Sequence, residues 1–382
     1  MTDHLPEEIS PAGRDARALT DALRHRNPVV HNVRDEWVLL RHADVKAAAL
    51  DDATFSSAVS AHLQIPNGLD GDEHTRFRAA LDPFLTPEAI APAEPLFAAL
   101  AARLASELPR GDAIDAVDEI GAVFAVRAQS AWLGWPAELE DPLVAWVSAN
   151  HAASRAGDRD RLAAVAAEFD ALIESVLAPR RGPGGEVLGD DLTSALMRVE
   201  VDGRPLRHEE IVSVLRNWTG GDLGSIALCV GVLLHDLASQ PDLQRRLRAG
   251  VGDAELDAAI DELLRIDDPF VSNRRVTTCP VTMSGVDIPA GAKVKLHWTS
   301  ANRDEAVFGD PDGFDPVGHA ADNLVYGIGR HVCPGRTLAT VELRIAVRAL
   351  LEATSWIDRG EDHPVREVHP VGGWAAVPVI LT

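Results

Sequence analysis

The chain is 382 residues long, enough for two or three domains, yet no Pro-, Gly- or Ser-rich linker divides it. One large unit, able to bury a core around a cofactor, is expected. Its net charge of −23, from 36 basic and 59 acidic side chains, argues against nucleic acid or an anionic membrane surface as partner.

Residues 1–14 read as a polar arm without an apolar run, so neither a signal peptide nor a membrane anchor is expected there. The folded unit is then 15–382. Ala, Leu and Val dominate and Tyr occurs once, which predicts a mainly α chain with a small β part. Three cysteines, Cys229, Cys279 and Cys333, are an odd count at irregular spacing. They fit no disulfide framework or zinc site and point to a reducing, cytoplasmic compartment.

In chain order, Trp37-Val38-Leu39-Leu40 predicts a short strand and His42–Leu50 a helix. The stretch from Phe55 to Gly71 contains Pro66-Asn67-Gly68, turn chemistry that excludes a regular helix. The next helix begins at Asp72 and sets His74 and Arg78 four apart on one face. Two such donors either clamp a carboxylate or face solvent. Helical periodicity runs from Ile114 to Arg181, broken at Gly134-Trp135-Pro136 and at Ala156-Gly157-Asp158.

Leu206 to about Ser239 predicts a helix of roughly 50 Å, long enough to cross the molecule. Its centre, Asn217-Trp218-Thr219-Gly220-Gly221-Asp222-Leu223-Gly224-Ser225, holds three glycines. Each costs about 1 kcal/mol in a helix interior. Room for a flat cofactor, a local widening, or close helix packing would explain them. Asp222 and Ser225 share a helix face and could relay protons; equally, Ser225 could bond a backbone carbonyl. Leu256–Arg265 is helical with a Glu262/Arg265 pair three apart, Asp267–Arg275 is extended, and Pro280–Thr299 alternates like a hairpin turning at Asp287–Gly291.

The sequence then reaches Tyr326-Gly327-Ile328-Gly329-Arg330-His331-Val332-Cys333-Pro334-Gly335-Arg336 and an apolar-periodic helix. The glycines permit a tight turn, and a thiolate at Cys333 would face the open N–H groups and positive dipole end of that helix. A thiolate so placed can act as an axial iron ligand.

This run resembles the haem-binding signature of the cytochrome P450 family, aromatic-Gly-x-Gly-x-His-x-Cys-x-Gly, with Tyr326 where the family usually has Phe. The likeness extends to His74/Arg78, to the Gly-rich helix centre and to Glu262/Arg265. It implies the P450 fold, with haem b between the long central helix and the helix after the cysteine loop. Cys333 would be the iron ligand, Gly221 would leave room for the cofactor, and His74, Arg78, Arg275 and His331 would meet its propionates. Val59, His62, Leu63, Asn150, Phe270, Val271 and Trp374 are the implied substrate contacts, with His151 a further pocket candidate beside Asn150. The implied activity is monooxygenation of a small, mainly apolar molecule, with electrons from NAD(P)H through a ferredoxin or flavodoxin. Neither nucleic acid nor membrane is an implied partner.

Two departures stand out. The family's acid and alcohol positions in the long helix are Leu223 and Gly224, leaving Asp222 and Ser225 as shifted relay candidates. The Arg that usually joins the Glu/Arg pair is Gly318, with His319 or a carbonyl as substitute. The missing relay keeps open a peroxide-driven peroxygenase. P450-type coupling or desaturation, and a non-catalytic haem-binding sensor, are the other readings.

Overall fold

The computed structural model describes residues 16–60 and 62–382; the arm expected over 1–14 lies outside them. Everything that positions the site hangs on one rod. It runs as an α-helix over His208–Leu215, a π-helical turn over Arg216–Gly220 and an α-helix over Gly221–Ser239. By length and composition His208–Ser239 could cross a membrane, but most of it is packed inside the protein. Ile226, Ala227, Leu228, Val230, Val232, Leu233, Leu234 and Leu237 are all buried, so the rod is apolar nearly all round because it is core nearly all round.

Close packing accounts for a further glycine in the rod. A Cβ on Gly231 would meet Val117 at 2.5 Å, and one on Gly121 would meet the Ala227 carbonyl at 2.7 Å. These contacts bring the segment Ala116–Leu133 against the rod. The helix Arg336–Ala353, entered from the cysteine loop, packs on the rod and on Glu94–Glu107. The breaks read from sequence fall where expected: Gly134 and Gly157 both end helices in the left-handed region. Asp158 then caps Arg159–Leu177 through the N–H groups of Asp160 and Arg161.

Ile114 departs from its expected helix. It belongs to a strand, Ala113–Asp115, which pairs antiparallel with Pro378–Leu381. The main sheet has five strands in the order Val29–His31, Glu36–Leu39, Lys293–His297, Ser272–Thr277, Phe55–Ser56. All its neighbours are antiparallel except Glu36–Leu39 with Lys293–His297. The expected hairpin also turns earlier than Asp287–Gly291. Val281–Met283 pairs with Val286–Ile288 across Ser284-Gly285, both at positive φ (45° and 79°). A two-residue turn of that hand matches strand twist, which is why it wins.

Candidate active site

Gly327 (φ 70°) and Gly329 (φ 77°) are the two places where the cysteine loop needs glycine. A Cβ on Gly329 would also meet Leu50 at 2.9 Å and the Ala49 carbonyl at 3.3 Å, so the loop lies tight against His42–Leu50. The Cys333 N–H donates to the Tyr326 carbonyl at 2.9 Å, closing the loop on itself. Cys333 is exposed as a residue, yet protein crowds its thiol. That crowding pushes the thiol above its usual pKa; the Gly335 N–H opposes the rise, Asp222 adds to it, and Arg78 and the Arg336 N–H pull it back. Behind the loop the Tyr326 ring lies under the Arg336 guanidinium, 5.2 Å away.

Beside the thiol the structure gathers three of the four expected propionate residues. His74 and His331 have ring centroids 4.2 Å apart. His331 Nε2 lies 3.2 Å from Ser57 Oγ and 3.7 Å from Asp70. Arg275 is close enough to depress the pKa of His331, which burial, His74 and Arg275 together hold at about 4. Burial, Arg78 and Arg330 also lower His74. Both rings are therefore neutral at neutral pH. Arg275 is buried; it donates to the Arg274 carbonyl at 2.8 Å, and no carboxylate ion-pairs with it among the described residues. His74 Nδ1 is buried and has no hydrogen-bond partner among the described residues. A buried cation offset only by the charge of Asp70, with no carboxylate in ion-pair contact, and a buried ring nitrogen without a partner are costly unless an anionic, hydrogen-bonding group completes them. An iron macrocycle with carboxylate arms has that chemistry, so the residues present fit a haem. Arg78, the fourth, is turned to Asp82 (2.6 Å) and to the loop carbonyl of Val332 (3.1 Å).

The Glu262/Arg265 pair is fully buried and bidentate, at 2.8 and 2.9 Å. Arg265 also donates to the carbonyls of Asn302 (2.7 Å) and Gly313 (2.9 Å). Glu262 accepts from the Asp315 N–H at 3.0 Å and lies 2.6 Å from His319 Nδ1. His319 and these carbonyls thus fill the place of the third member that Gly318 lacks. The knot ties the helix Asp253–Ile266 to the segment leading into the cysteine loop.

Across the rod, the three central glycines have three different neighbours. A Cβ on Gly220 would touch Phe169 (3.3 Å) and Trp146 (3.5 Å); one on Gly221 would meet nothing within 4 Å; one on Gly224 would fall 2.9 Å from His151 Nε2. The open flank at Gly221 is where a flat group could approach the backbone. The expected widening is real and occupies Arg216–Gly220. Asp222 does not stand free: Gln129 donates to its carboxylate. Burial, opposed by that hydrogen bond, pushes Asp222 up to about 7. Its electrostatic neighbour is Glu342, on the helix after the cysteine loop, a buried carboxyl with no hydrogen-bond partner on either oxygen. Ser225 donates to the Gly221 carbonyl, one turn back. Nothing in the spacing announced the Gln129–Asp222–Glu342 grouping, whose members lie far apart in sequence.

The expected substrate contacts divide. His62 and Leu63 line a cleft of about 570 Å³ with Asp170, His208, Val212 and Arg216. An Arg216–Asp170 ion pair joins the rod to Arg159–Leu177 beside that cleft. Val59 and Phe270 are exposed, and Val271 and Asn150 half-buried. Trp374 is drawn away into packing: its ring is 4.1 Å from that of His235 and 3.5 Å from the Arg366 guanidinium carbon. The neighbouring Gly372 and Gly373 press on Asp268, Val271 and Val232 instead.

Comparison with known proteins agrees with this arrangement. The sequence profile of the family described as Cytochrome P450 matches residues 158–377. Cyclomarin C epoxidase of Salinispora arenicola is 31% identical over 91% of this chain and 90% of its own. Erythromycin C-12 hydroxylase of Saccharopolyspora erythraea is 29% identical over 89% and 88%. Among solved structures, a mutant of P450 EryK in complex with erythromycin B superposes with a TM-score of 0.85 at 28% identity, covering 96% of this chain and 95% of that one. With the thiol loop, the buried Glu/Arg knot, the glycine-flanked rod and these relatives in agreement, the chain belongs to the cytochrome P450 family of haem-thiolate monooxygenases.

Proposed function

We propose that this protein binds haem b through Cys333 and inserts one oxygen atom from O2 into a small, mainly apolar organic molecule. The observation that carries the reading is the Cys333 loop, which presents an exposed cysteine alongside a buried Arg275 that makes no ion pair among the described residues and a His74 nitrogen left unpartnered there. The bound haem supplies the oxygen-activating iron. The chain does the rest. Cys333 ligates, the N–H groups of Gly335 and Arg336 steady its thiolate, and Arg275, His74 and His331 take the carboxylate arms. Arg78 holds the loop carbonyls. The cleft at His62 and Leu63 is the entry we assign to substrate. Electrons come one at a time from NAD(P)H through a ferredoxin or flavodoxin, and the protein works in the cytoplasm. Relatives named as an epoxidase and a hydroxylase support oxygen insertion as the outcome.

The test is the spectrum of the reduced, CO-bound protein. A thiolate-type band is expected, and Cys333→Ser should abolish it; an unchanged band in the variant would refute the ligand. Titrating the ferric protein with small apolar and aromatic compounds while following the Soret band then identifies the substrate class by a low- to high-spin shift. One observation favours a second reading, a peroxygenase using hydrogen peroxide. Leu223 and Gly224 fill the acid and alcohol positions, while Asp222 and Ser225 are engaged by Gln129 and by a backbone carbonyl. Turnover with peroxide at rates matching the O2-dependent route would support that oxidant.

A further inference from the structure

Gly224 has no side chain, and the space beside it is filled by another one. A Cβ there would sit 2.9 Å from His151 Nε2, closer than such atoms approach, so the imidazole tip occupies the volume an alcohol side chain on this residue would enter. His151 belongs to the helix Glu140–Ala156 and is only 5% exposed. Its helix is pinned on either side of it. Ser148 lies 3.3 Å from Asp118, and Arg155 pairs with buried Glu367 at 2.7 Å. Gly224 and Gly221 are three apart and therefore share a face of the rod, so the imidazole borders the open flank at Gly221. The two polar side chains the rod itself offers there are spoken for, Asp222 by Gln129 and Ser225 by the Gly221 carbonyl.

We propose that His151, supplied from the helix over the pocket, is the hydrogen-bonding and proton-carrying group of the distal side, in place of the alcohol the long helix lacks. The inference rests on the haem-thiolate reading above. A neutral imidazole has one N–H donor and one ring-nitrogen acceptor. In one concerted step it can pass its N–H proton to an acceptor in the pocket while the other ring nitrogen takes a proton relayed through water from bulk hydronium, so the ring ends neutral as its other tautomer, with no electron moved and no heavy-atom bond changed. One group then does what an acid and an alcohol do together. Burial and the charge of Arg155 hold its pKa at about 4, which keeps the ring in that neutral form at neutral pH.

The experiment compares the full-length haem-loaded protein with His151→Phe, His151→Gln, Gly224→Ala and the double variant His151→Ala/Gly224→Thr. Haem content and thermal melting check that each folds. Two readouts are taken: the infrared C–O stretch of the reduced CO complex, which senses a distal hydrogen bond, and hydrogen peroxide released per NAD(P)H consumed with a compound found by Soret titration. His151→Phe should move the C–O band to higher frequency and send most of the NAD(P)H consumed to hydrogen peroxide, because proton delivery should slow by at least about a hundredfold, the lower edge of what a positioned proton-transfer group contributes. Gly224→Ala, whose methyl crowds the ring, should do the same with His151 still present. His151→Gln should keep part of the shift, and the double variant should recover coupling. An unmoved C–O band and unchanged coupling in His151→Phe, with the thiolate spectrum intact, would overturn this proposal alone. A nitrogen-ligated Soret band lost in His151→Phe would overturn it too, by making His151 an iron ligand. Absence of the thiolate band from the unsubstituted protein would overturn the haem-thiolate reading and this inference with it.

Discussion

The Glu262–Arg265 knot and the centre of the long helix are both buried and polar, and each lacks a residue that the family usually places there. They absorb the loss differently. In the knot, Gly318 leaves a gap that His319 and nearby carbonyls close, so that each charged group ends with several hydrogen bonds. In the rod, the acid and alcohol positions hold Leu223 and Gly224, and what arrives is a ring from another helix, His151. Nearby, Glu342 keeps both oxygens unpartnered. A buried ion pair must be completed or it destabilises the fold. A reaction pocket answers instead to geometry and proton affinity, and tolerates local cost.

That contrast is broken most directly at the knot. Arg265→Leu would leave Glu262 buried with only His319 and one N–H, and should cost about 3–5 kcal/mol, read as a lower urea midpoint and loss of bound haem. A variant that melts like the parent would show that the knot carries no stability. A smaller effect is expected at the edge of the cysteine loop. Gly329→Ala places a Cβ at φ 77° and 2.9 Å from Leu50. It should cost about 1–3 kcal/mol, and Gly335→Ala, where φ is −81°, should cost less in the same thermal melt.

Acid gives the mildest perturbation and separates the two regions by pH. His151, His297 and His369 are held at about 4, 3 and 4 by burial first, with Arg155 next at His151, the His369 ring and then Lys295 at His297, and Lys295 at His369. In the unfolded chain these rings titrate near 6.5. The unfolded state therefore binds more protons, and stability falls as pH drops from about 6.5 to about 4. The Glu262 carboxyl is instead held below its ordinary range: burial pushes it up, but Arg265, the Asp315 N–H and His319 outweigh that. Its contribution is lost only as pH falls below that range. Hydrogen exchange across the titration should show the His151 helix loosening before the segments that the knot ties together. Simultaneous opening would remove the distinction.

The knot and the cysteine loop were legible because their chemistry is local in sequence or fixed by spacing. Glycines at 327 and 329, a thiol at 333 and a Glu/Arg pair three apart each state their own requirement, and even the substitute His319 could be named. At Trp374 the glycine pair beside it reads as a pocket loop, and the contacts its ring makes with His235 and Arg366 could not be read from spacing. The hairpin turn was read late because Pro289-Ala290-Gly291 is the louder signal, yet Ser284-Gly285 has the right hand. The link between His151 and Gly224 was legible only as two unconnected facts, a missing side chain and a histidine named as a pocket candidate. Joining them needed the angle at which two helices cross.

The widened turn at Arg216–Gly220 has a consequence for how this protein should be aligned and edited. It spends backbone without the usual advance, so it works like a slipped tooth between two gears, setting the angular phase of everything after it. Deleting one residue there would close the π turn into an α turn, leaving Gly221 and Gly224 on the face they share while every sequence position after it moves by one. For this rod, then, equivalence to a relative is a matter of azimuth rather than of column. A gap opened or closed in those five residues changes which residue is matched to each pocket position without moving any of them.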